Sequence, residues 1–277
     1  MLSAVQRLQL LQWLRKHSKW GLPRLRRWIP DLPRNAAAAY VRRAKVVLAR
    51  RRRRTWRRLK WHVPGAVWAI DGTWMERPVD GRGRRALIVV ELHSRRVLAL
   101  QSVPGERASA VLALLERLIG VHGPPLVLKA DNGSAFIAAR VARFCRRHGI
   151  ALMHSPVRRP RWNGTCEVSG RWAKRTALTA MVRRGSVTLS QCDLDAAVGV
   201  TAPLPQVSCE LRERFRAALE QQLQVVAAEQ DLALDSPLRD HVRRSLERVA
   251  VQRALQLCHI LTIQGREYRQ CLPASAA

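Results

Sequence analysis

The order of apolar segments in the middle of the chain limits its fold more than any other feature. Three strand-like segments come first without a helix between them, and two more follow, each after a helical pattern. The strand-like segments are 66–75, 86–92, 96–102, 125–131 and 150–156, and the helical patterns are 108–121 and 135–148. Successive strands pair antiparallel, whereas a strand reached through a helix returns parallel to an earlier one. This order predicts an α/β fold with a mixed five-stranded sheet and flanking helices, in which the first and fourth strands are neighbours.

Turn-forming and capping residues support these boundaries. Asp80-Gly81 is typical of a hairpin turn between the first two strands. Ser134 is placed to cap the helix over 135–148, which Gly149 ends. A further helix is predicted from Gly164 to Arg183.

The first 54 residues predict a small all-α region. Apolar residues at helical spacing predict helices over 3–17 and 22–29, and Asn35 occupies the N-cap position of a third helix. Three helices joined by tight turns are typical of a helix-turn-helix module. Residues 55–66, which follow, are predicted to form a linker.

The charge of the chain is strongly positive and unevenly distributed. The chain carries 50 Lys and Arg against 20 Asp and Glu, a net charge of +30, and such self-repulsion favours a polyanionic partner. Residues 1–66 contain 19 Lys and Arg and a single acid, and five arginines in a row begin at Arg50. We expect DNA to be bound here, with Arg51, Arg52 and Arg53 among the contacts. The alternative is that three packing helices present a solvated basic face.

The C-terminal region, residues 186–277, differs in charge from the rest. Residues 188–277 carry 10 Lys and Arg and 11 Asp and Glu, so non-specific phosphate binding is not expected there. The pattern predicts a mostly helical region, with helices over 210–230 and from Ser236-Pro237, and a terminal hairpin around Gly265. Two roles stay open: self-association or contact with a helper protein, and a helical extension packed on the core.

Three acids have unusual settings in this basic chain. Asp71 lies within the first strand, Asp131 lies at the end of the fourth strand, and Glu167 lies at the start of the next helix. Adjacent carboxylates raise each other's pKa, and a divalent cation removes that cost. Carboxylate ligands without His or Cys select hard cations such as Mg²⁺ or Mn²⁺. Each acid also has a simpler explanation, as a strand-end turn, an Asp-Asn-Gly turn, or an ion pair with Arg171.

The sequence motifs around these acids resemble those of the DDE transposases and retroviral-type integrases. Trp68-Ala-Ile-Asp71-Gly-Thr73 is similar to the family's first motif, and Asp131-Asn-Gly followed by Ser-Ala-Phe136 is similar to its second. Pro160-Arg-Trp-Asn-Gly-Thr-Cys-Glu167 is similar to the third. The 35 residues between Asp131 and Glu167 match the family's interval. The resemblance spans roughly residues 64–183 and is highly specific when the motifs are taken together.

Two departures refine the resemblance. Arg161 stands where the third motif usually has Gln, which adds positive charge where DNA would lie. The N-terminal region lacks the His/Cys zinc module of retroviral integrases, so bacterial insertion-sequence transposases are the closer analogue.

The resemblance implies a ribonuclease-H-like core whose catalytic residues and metal ligands are Asp71, Asp131 and Glu167, with two Mg²⁺ or Mn²⁺ ions. It implies a DNA transposase or integrase that cleaves 3′ ends of mobile-element DNA and transfers them to target DNA. The alternatives are a nuclease on the ribonuclease-H fold and a non-catalytic, transposase-derived DNA-binding protein. The expected DNA contacts, besides the N-terminal arginines, are Arg171, Lys174, Arg161, Asn132 and Asn163.

The expected domain plan and surroundings follow from these predictions. The plan has a helix-turn-helix region at 1–54, a linker at 55–66, a catalytic core at 67–185 and the helical region at 186–277. DNA ends and target DNA are the expected partners, together with other copies of the chain and a possible helper protein. No apolar run reaches the roughly 18 residues that a membrane span needs, so we expect no membrane partner and a bacterial cytoplasmic location at the nucleoid.

Overall fold

The structure, a computed structural model, describes residues 2–17, 20–29, 31–52, 56–156, 162, 164–199, 202–230 and 240–266. The described residues fall into two compact units, one from the ranges 1–59 and 263–277 and one from 60–262. None of the helices in these ranges is long and apolar enough to cross a membrane.

The first unit begins with three helices, α1 (Ala4–Lys16), α2 (Leu22–Arg26) and α3 (Arg34–Arg52). Ser3 and Gln6 form a capping box at the start of α1, because each side chain binds the backbone N–H of the other residue. Buried side chains from all three helices form one core, which includes Leu10, Leu14, Leu25, Val41 and Ala44. The helix α3 begins at Arg34, one residue before the predicted N-cap Asn35. The three predicted helices are present, and their use as a helix-turn-helix stays a prediction.

The second unit is built on a five-stranded sheet with helices packed on it. Its strands are β2 (Val67–Val79), β3 (Gly83–Glu91), β4 (Val97–Ser102), β5 (Val127–Ala130) and β6 (Ala151–His154). The strand order is β4-β3-β2-β5-β6, with β2, β3 and β4 antiparallel and β5 and β6 parallel to β2. The predicted mixed sheet is confirmed, including the adjacency of its first and fourth strands. Asp80 and Gly81 form the predicted turn, both with positive φ.

The helices of the second unit cover this sheet. They are α4 (Ala108–His122), α5 (Ala139–Arg147), α6 (Gly164–Arg183), α7 (Gln191–Val198), α8 (Cys209–Glu229) and α9 (Asp240–Leu257). The apolar face of α4 packs with β2, β3 and α5 in a core cluster around Trp68, Val89, Leu114 and Phe136. The helix α6 has the predicted limits.

Two local predictions about the sheet domain and the chain ends were wrong. The helix α5 begins at Ala139, so Ser134 does not cap it. The carbonyl of Gly133 instead accepts from the N–H groups of Phe136 and Ile137 in a tight turn, which places the Phe136 side chain in the core. At the other end, strand β7 (Leu261–Arg266) runs through Gly265, where a hairpin turn was predicted.

The strand β7 pairs with a strand that the sequence pattern did not predict. This strand, β1 (Trp56–Trp61), lies in the segment expected to be a linker, and the two form a separate two-stranded sheet. Basic residues interrupt the apolar alternation of β1, so its pairing depends on a partner about 200 residues away in the sequence. The predicted domain boundaries stay predictions.

The C-terminal helices α8 and α9 pack on each other and on the rest of the second unit. Val226 and Ala227 of α8 meet Leu246 and Ala250 of α9 in a small core. The Arg212 side chain donates to the Pro124 carbonyl at 2.8 Å, and α9 contacts β6. A helical extension packed on the core is therefore present, while a role in assembly stays a prediction. The predicted helix start at Ser236-Pro237 lies outside the described residues.

An ion pair joins the end of α6 to the unpredicted helix α7. The Asp193 carboxylate is buried and accepts from the Arg184 guanidinium at 2.7 and 3.0 Å and from the Ser190 N–H and hydroxyl at 2.9 and 2.8 Å. These bonds, led by the one from Arg184, lower the pKa of Asp193 from 3.8 to about 2. The pair fixes α7 against the end of α6.

We expect Asp193→Asn to lower the free energy of unfolding by about 1–2 kcal/mol at neutral pH, because the charged hydrogen bonds are lost. The folded-state pKa lies below the ordinary value, so this contribution is present above about pH 4 and is lost as the pH falls towards 2. Urea unfolding of the wild type and the variant at pH 7 and pH 3 measures it. Asp195→Asn, at an exposed position of the same helix, is the control. Equal destabilisation by both variants would contradict the assignment.

Candidate active site

Asp71 and Asp131 lie at the same edge of the sheet because of the register between β2 and β5. The parallel pairs are Val67 with Val127, Trp68 with Leu128 and Ala69 with Lys129. Continuing this register by two residues sets Asp71 opposite Asp131, directly after β5. Both acids are partly exposed. The sheet therefore brings the first two predicted acids to adjacent positions.

Glu167 reaches this edge from the first turn of α6. The helix lies close to the sheet at Gly170, where an added Cβ would come within 3.3 Å of the Ile88 side chain. Cys166 and Ala173 are buried beneath the helix, so the exposed Glu167 side chain is directed away from the core. A carboxylate in the first turn is also stabilised by the helix dipole.

A cleft of about 360 Å³ lies between α6 and β2. It is lined by Asp71, Gly72, Thr73, Ile88, Cys166, Glu167, Gly170, Arg171 and Lys174. Asp71 and Glu167 therefore share one cleft with two of the predicted DNA-binding cations. Asp131 is not among its lining residues, and in the described ranges no three His, Cys, Asp or Glu side chains are grouped as a metal site.

The loop after β5 is held in place by hydrogen bonds around Asp131. One Asp131 carboxylate oxygen accepts from the Gly133 N–H at 2.8 Å, and the Asp131 carbonyl binds the ring of buried His154 at 2.9 Å. The Asn132 side chain donates to the Ser155 carbonyl at 2.6 Å. Asn132, a predicted DNA contact, is thus used to join this loop to the end of β6.

The other predicted DNA-binding residues differ in how far the structure describes them and in what they contact. Lys174 donates to the Thr73 hydroxyl and to the Trp74 carbonyl, both at 3.2 Å, so it is fixed against β2. Arg171 is exposed at the cleft. Arg161, Asn163 and Arg53 lie outside the described residues. Arg51 and Arg52 are the last two residues of α3, and their side chains are not described.

Lys129 is a buried cation at this site to which sequence reasoning gave no role. It is 4% exposed, and its ammonium group donates to the carbonyl of Trp162, two residues before α6. Burial lowers the pKa of Lys129, while Cys166 and Asp71 act to raise it. A lysine inside the apolar segment Pro-Leu-Val-Leu-Lys-Ala was the available signal. Lys129 connects the sheet beneath the acids to the segment that leads to Glu167.

A further acid, Glu106, lies against the backbone next to Asp71. A Cβ at Gly72 would come within 2.4 Å of its carboxylate oxygen, so a side chain there would displace the end of Glu106. Glu106 accepts from the Arg85 guanidinium at 2.8 Å, which in turn lies 4.6 Å from the Trp74 ring centroid. No motif identified this cluster, because its members come from three separate segments.

Comparison with known proteins finds a family match in the central region of the chain. Residues 62–160 match the family model described as the integrase core domain. This region is similar to the integrase core domain. The resemblance found in the motifs is thereby confirmed for a range that includes Asp71 and Asp131 and stops before Glu167. We call residues 62–160 the integrase-like region.

Matches to individual proteins cover parts of the chain. A Caenorhabditis elegans protein described as uncharacterized protein K02A2.6 is 29% identical over 107 residues, which are 39% of this chain and 8% of that protein. The chain thus spans less than a tenth of this relative.

Similar solved structures are integrase catalytic cores. The core of BIV integrase is 25% identical and covers 48% of this chain and 81% of its own, with a TM-score of 0.40. The HTLV-2 integrase core in complex with magnesium, in its dimeric form, is 18% identical and covers 50% and 87%, with a TM-score of 0.41. Its trimeric form is 19% identical and covers 50% and 86%, also with a TM-score of 0.41.

We expect Lys129→Met to lower the free energy of unfolding by about 1–3 kcal/mol, because the Trp162 carbonyl loses its donor and the nearby acids lose a cation. Thermal unfolding in metal-free buffer measures this effect. Lys60→Met, at an exposed lysine of β1, is the control and should change stability by less than about 0.5 kcal/mol. An unchanged Tm for Lys129→Met would show that this contact does not hold the site.

Proposed function

We propose that the protein is a DDE-type DNA strand transferase that cleaves the 3′ ends of mobile-element DNA and joins them to target DNA. The observation that carries this proposal is the position of the three acids. Asp71 lies on β2, Asp131 directly follows the adjacent parallel strand β5, and Glu167 shares a cleft with Asp71. The integrase core match supports the same class of polynucleotidyl transfer.

The chemistry of the acids fits a hard divalent cation. All three donors are carboxylates, which suit Mg²⁺ or Mn²⁺. Mg²⁺ usually binds through one or two carboxylates together with waters and substrate phosphates, so two acids at one cleft suffice before DNA arrives. We propose that Asp71, Asp131 and Glu167 hold two such ions. Bound ions of this kind activate an attacking hydroxyl and stabilise the leaving oxygen of a phosphoryl transfer.

The other residues of the cleft would position the DNA. Arg171 and Lys174 extend from the same helix as Glu167 and can bind phosphate oxygens beside the scissile bond. Lys174 is already held by Thr73 and the Trp74 carbonyl, so less freedom is lost when phosphate binds. The hydrogen bond from the Gly133 N–H likewise restricts the orientation of the Asp131 carboxylate.

We propose that the N-terminal helices also bind DNA. The high charge of this region and the run of arginines at the end of α3 support phosphate contacts by Arg51, Arg52 and Arg53. One chain supplies one set of predicted catalytic acids, so two chains on DNA could act on two ends together. We therefore propose a homo-multimer on DNA at the bacterial nucleoid, with a helper protein as a possible further partner.

We expect Asp71→Asn, Asp131→Asn and Glu167→Gln each to lower strand transfer at least 100-fold, because each removes an anionic ligand from a site that needs its charge. The assay uses Mg²⁺ and duplex oligonucleotides tiled across the DNA on either side of the gene. Glu76→Gln, which removes an exposed carboxylate from the same strand as Asp71, is the matched control.

The same assay separates the competing functions. Joined products from the wild type indicate a strand transferase, and cleavage without joining indicates a nuclease. DNA binding without either product indicates a non-catalytic protein. Wild-type cleavage and joining by all three variants would refute the catalytic assignment.

We expect replacement of Arg51, Arg52 and Arg53 by Gln to reduce the slope of log affinity against log salt by about 3, since each phosphate contact contributes roughly 0.9. Binding of a 30-base-pair duplex between 50 and 300 mM KCl measures this slope. Replacement of Arg140, Arg143 and Arg146, which are exposed on α5, removes the same charge elsewhere. The same slope change in both triple variants would show that total charge, and not this segment, determines binding.

A further inference from the structure

A second cleft, of about 430 Å³, lies beside α6 and has no part in the proposed chemistry. It is bounded by α6, by the turn between β3 and β4 and by the end of α7. Its lining includes Arg95, Arg96, Val97, Val168, Trp172 and Val198. None of its lining residues belongs to the cleft that contains Asp71 and Glu167. We call it the α6–α7 cleft.

The α6–α7 cleft and the candidate active site lie on opposite sides of α6. Gly170 and Lys174 line the candidate active site, whereas Val168 and Trp172 line the α6–α7 cleft. Successive residues of an α-helix are turned by about 100°, so positions two apart project in nearly opposite directions. A ligand of the α6–α7 cleft would therefore contact α6 from the side that faces away from Asp71.

Exposed apolar side chains border the α6–α7 cleft. Val168 is 58% exposed and Trp172 is 60% exposed, and the two are one helical turn apart. Val97, which is buried, and Val198, which is half-buried, continue the apolar surface from two other elements. Single exposed apolar residues are normal on a protein surface, but a pair beside a concave apolar surface is typical of a binding site.

The elements that form this cleft are joined to one another. The Ser169 hydroxyl of α6 donates to the Arg95 carbonyl of the turn at 3.4 Å. The Arg96 guanidinium donates to the carbonyl of Ala202, in the segment that follows α7, and the ion pair described above fixes α7 against the end of α6. A ligand would thus meet a preformed site and would not have to order it.

The charged side chains of the α6–α7 cleft are both cationic. Arg95 is exposed and Arg96 is half-buried, and no acid is among the described residues that line the cleft. An apolar surface beside two guanidinium groups complements a ligand that combines apolar surface with a carboxylate. Duplex DNA matches only the arginines, since its outer surface is the charged phosphate backbone. A protein segment offers both features together.

We propose that the α6–α7 cleft is the docking site of the helper protein, an inference that rests on the partners given in the proposed function. The partner inserts a large apolar side chain beside Val168 and Trp172, and it places a neighbouring carboxylate at Arg95. The partner thereby contacts the helix that carries Glu167 without occupying the candidate active site.

The test measures peptide binding by the full-length wild type without DNA or divalent metal. Three fluorescein-labelled peptides are compared by fluorescence anisotropy at about 150 mM KCl, where the attraction between distant charges is largely screened. The first peptide has a central Leu-Trp pair flanked by Glu residues. The second has Ser-Ser in place of that pair, and the third has Gln in place of every Glu. The first should bind at least tenfold more tightly than either of the others, because it alone offers both the apolar anchor and the carboxylates.

Variants of the cleft decide where the first peptide binds. Trp172→Ala, Val168→Ser and Arg95→Gln should each lower its affinity at least fivefold. Val182→Ser and Arg183→Gln, which remove an exposed valine and an exposed arginine from α6 outside the cleft, are the matched controls. All five positions are exposed, so each variant should fold like the wild type, which thermal unfolding checks.

Two results would overturn the proposal. One is an affinity of the wild type for the first peptide that is no higher than its affinity for either of the other two. The other is an equal loss of affinity in the cleft variants and in the control variants, which would show that the peptide binds elsewhere.

The outcome is separable from that of the proposed function. If the wild type joins DNA but does not prefer the first peptide, only this inference fails. If the preference is present and depends on the cleft, and no strand transfer occurs with Mg²⁺, the docking site is supported and the transferase proposal fails.

Discussion

Three parallel residue pairs join β2 to β5, and the difference of 60 between the paired residue numbers sets the geometry of the candidate site. If the register shifted by one residue, the side chains of one strand would move to the opposite face of the sheet, and Asp71 and Asp131 would no longer correspond. Trp68 and Leu128 are buried in one core cluster, so such a shift would disturb their packing. The packing of the apolar core therefore determines where the acidic residues meet.

The sequence allowed the central sheet to be predicted because its strands are apolar and closely spaced, and because each connection type allows only one strand direction. The three acids stand out in the sequence as carboxylates in a very basic chain and within family-like motifs, and their catalytic role stays a prediction. Elements with long-range partners were harder: β1 is basic and depends on β7, and the start of α5 is set by the burial of Phe136. Lys129, Glu106 and Arg85 take their roles from contacts between distant segments, which a linear pattern does not contain.

The charged side chains of the second unit have different partners on the two sides of the candidate site. On the α6 side, Arg171 and Lys174 line a cleft with Asp71 and Glu167, so cations and acids are neighbours at a partly exposed surface. On the other side, Arg85 and Glu106 pair with each other and are directed at the backbone of Gly72 and the ring of Trp74. The first arrangement leaves charge available to a ligand, and the second uses charge to fix the protein itself.

The contacts at the two ends of α6 have a mechanical consequence. Lys129 holds the carbonyl of Trp162 just before the helix, and Asp193 holds Arg184 just after it. Because a contact holds each end of α6, the helix has little freedom to slide along the sheet or to move away from it. Adjustment of Glu167 to an arriving substrate must then come from rotation about its own side-chain bonds, a motion of picoseconds to nanoseconds for an exposed residue. Under the proposed function, Glu167 would therefore reach a bound ion without movement of the backbone.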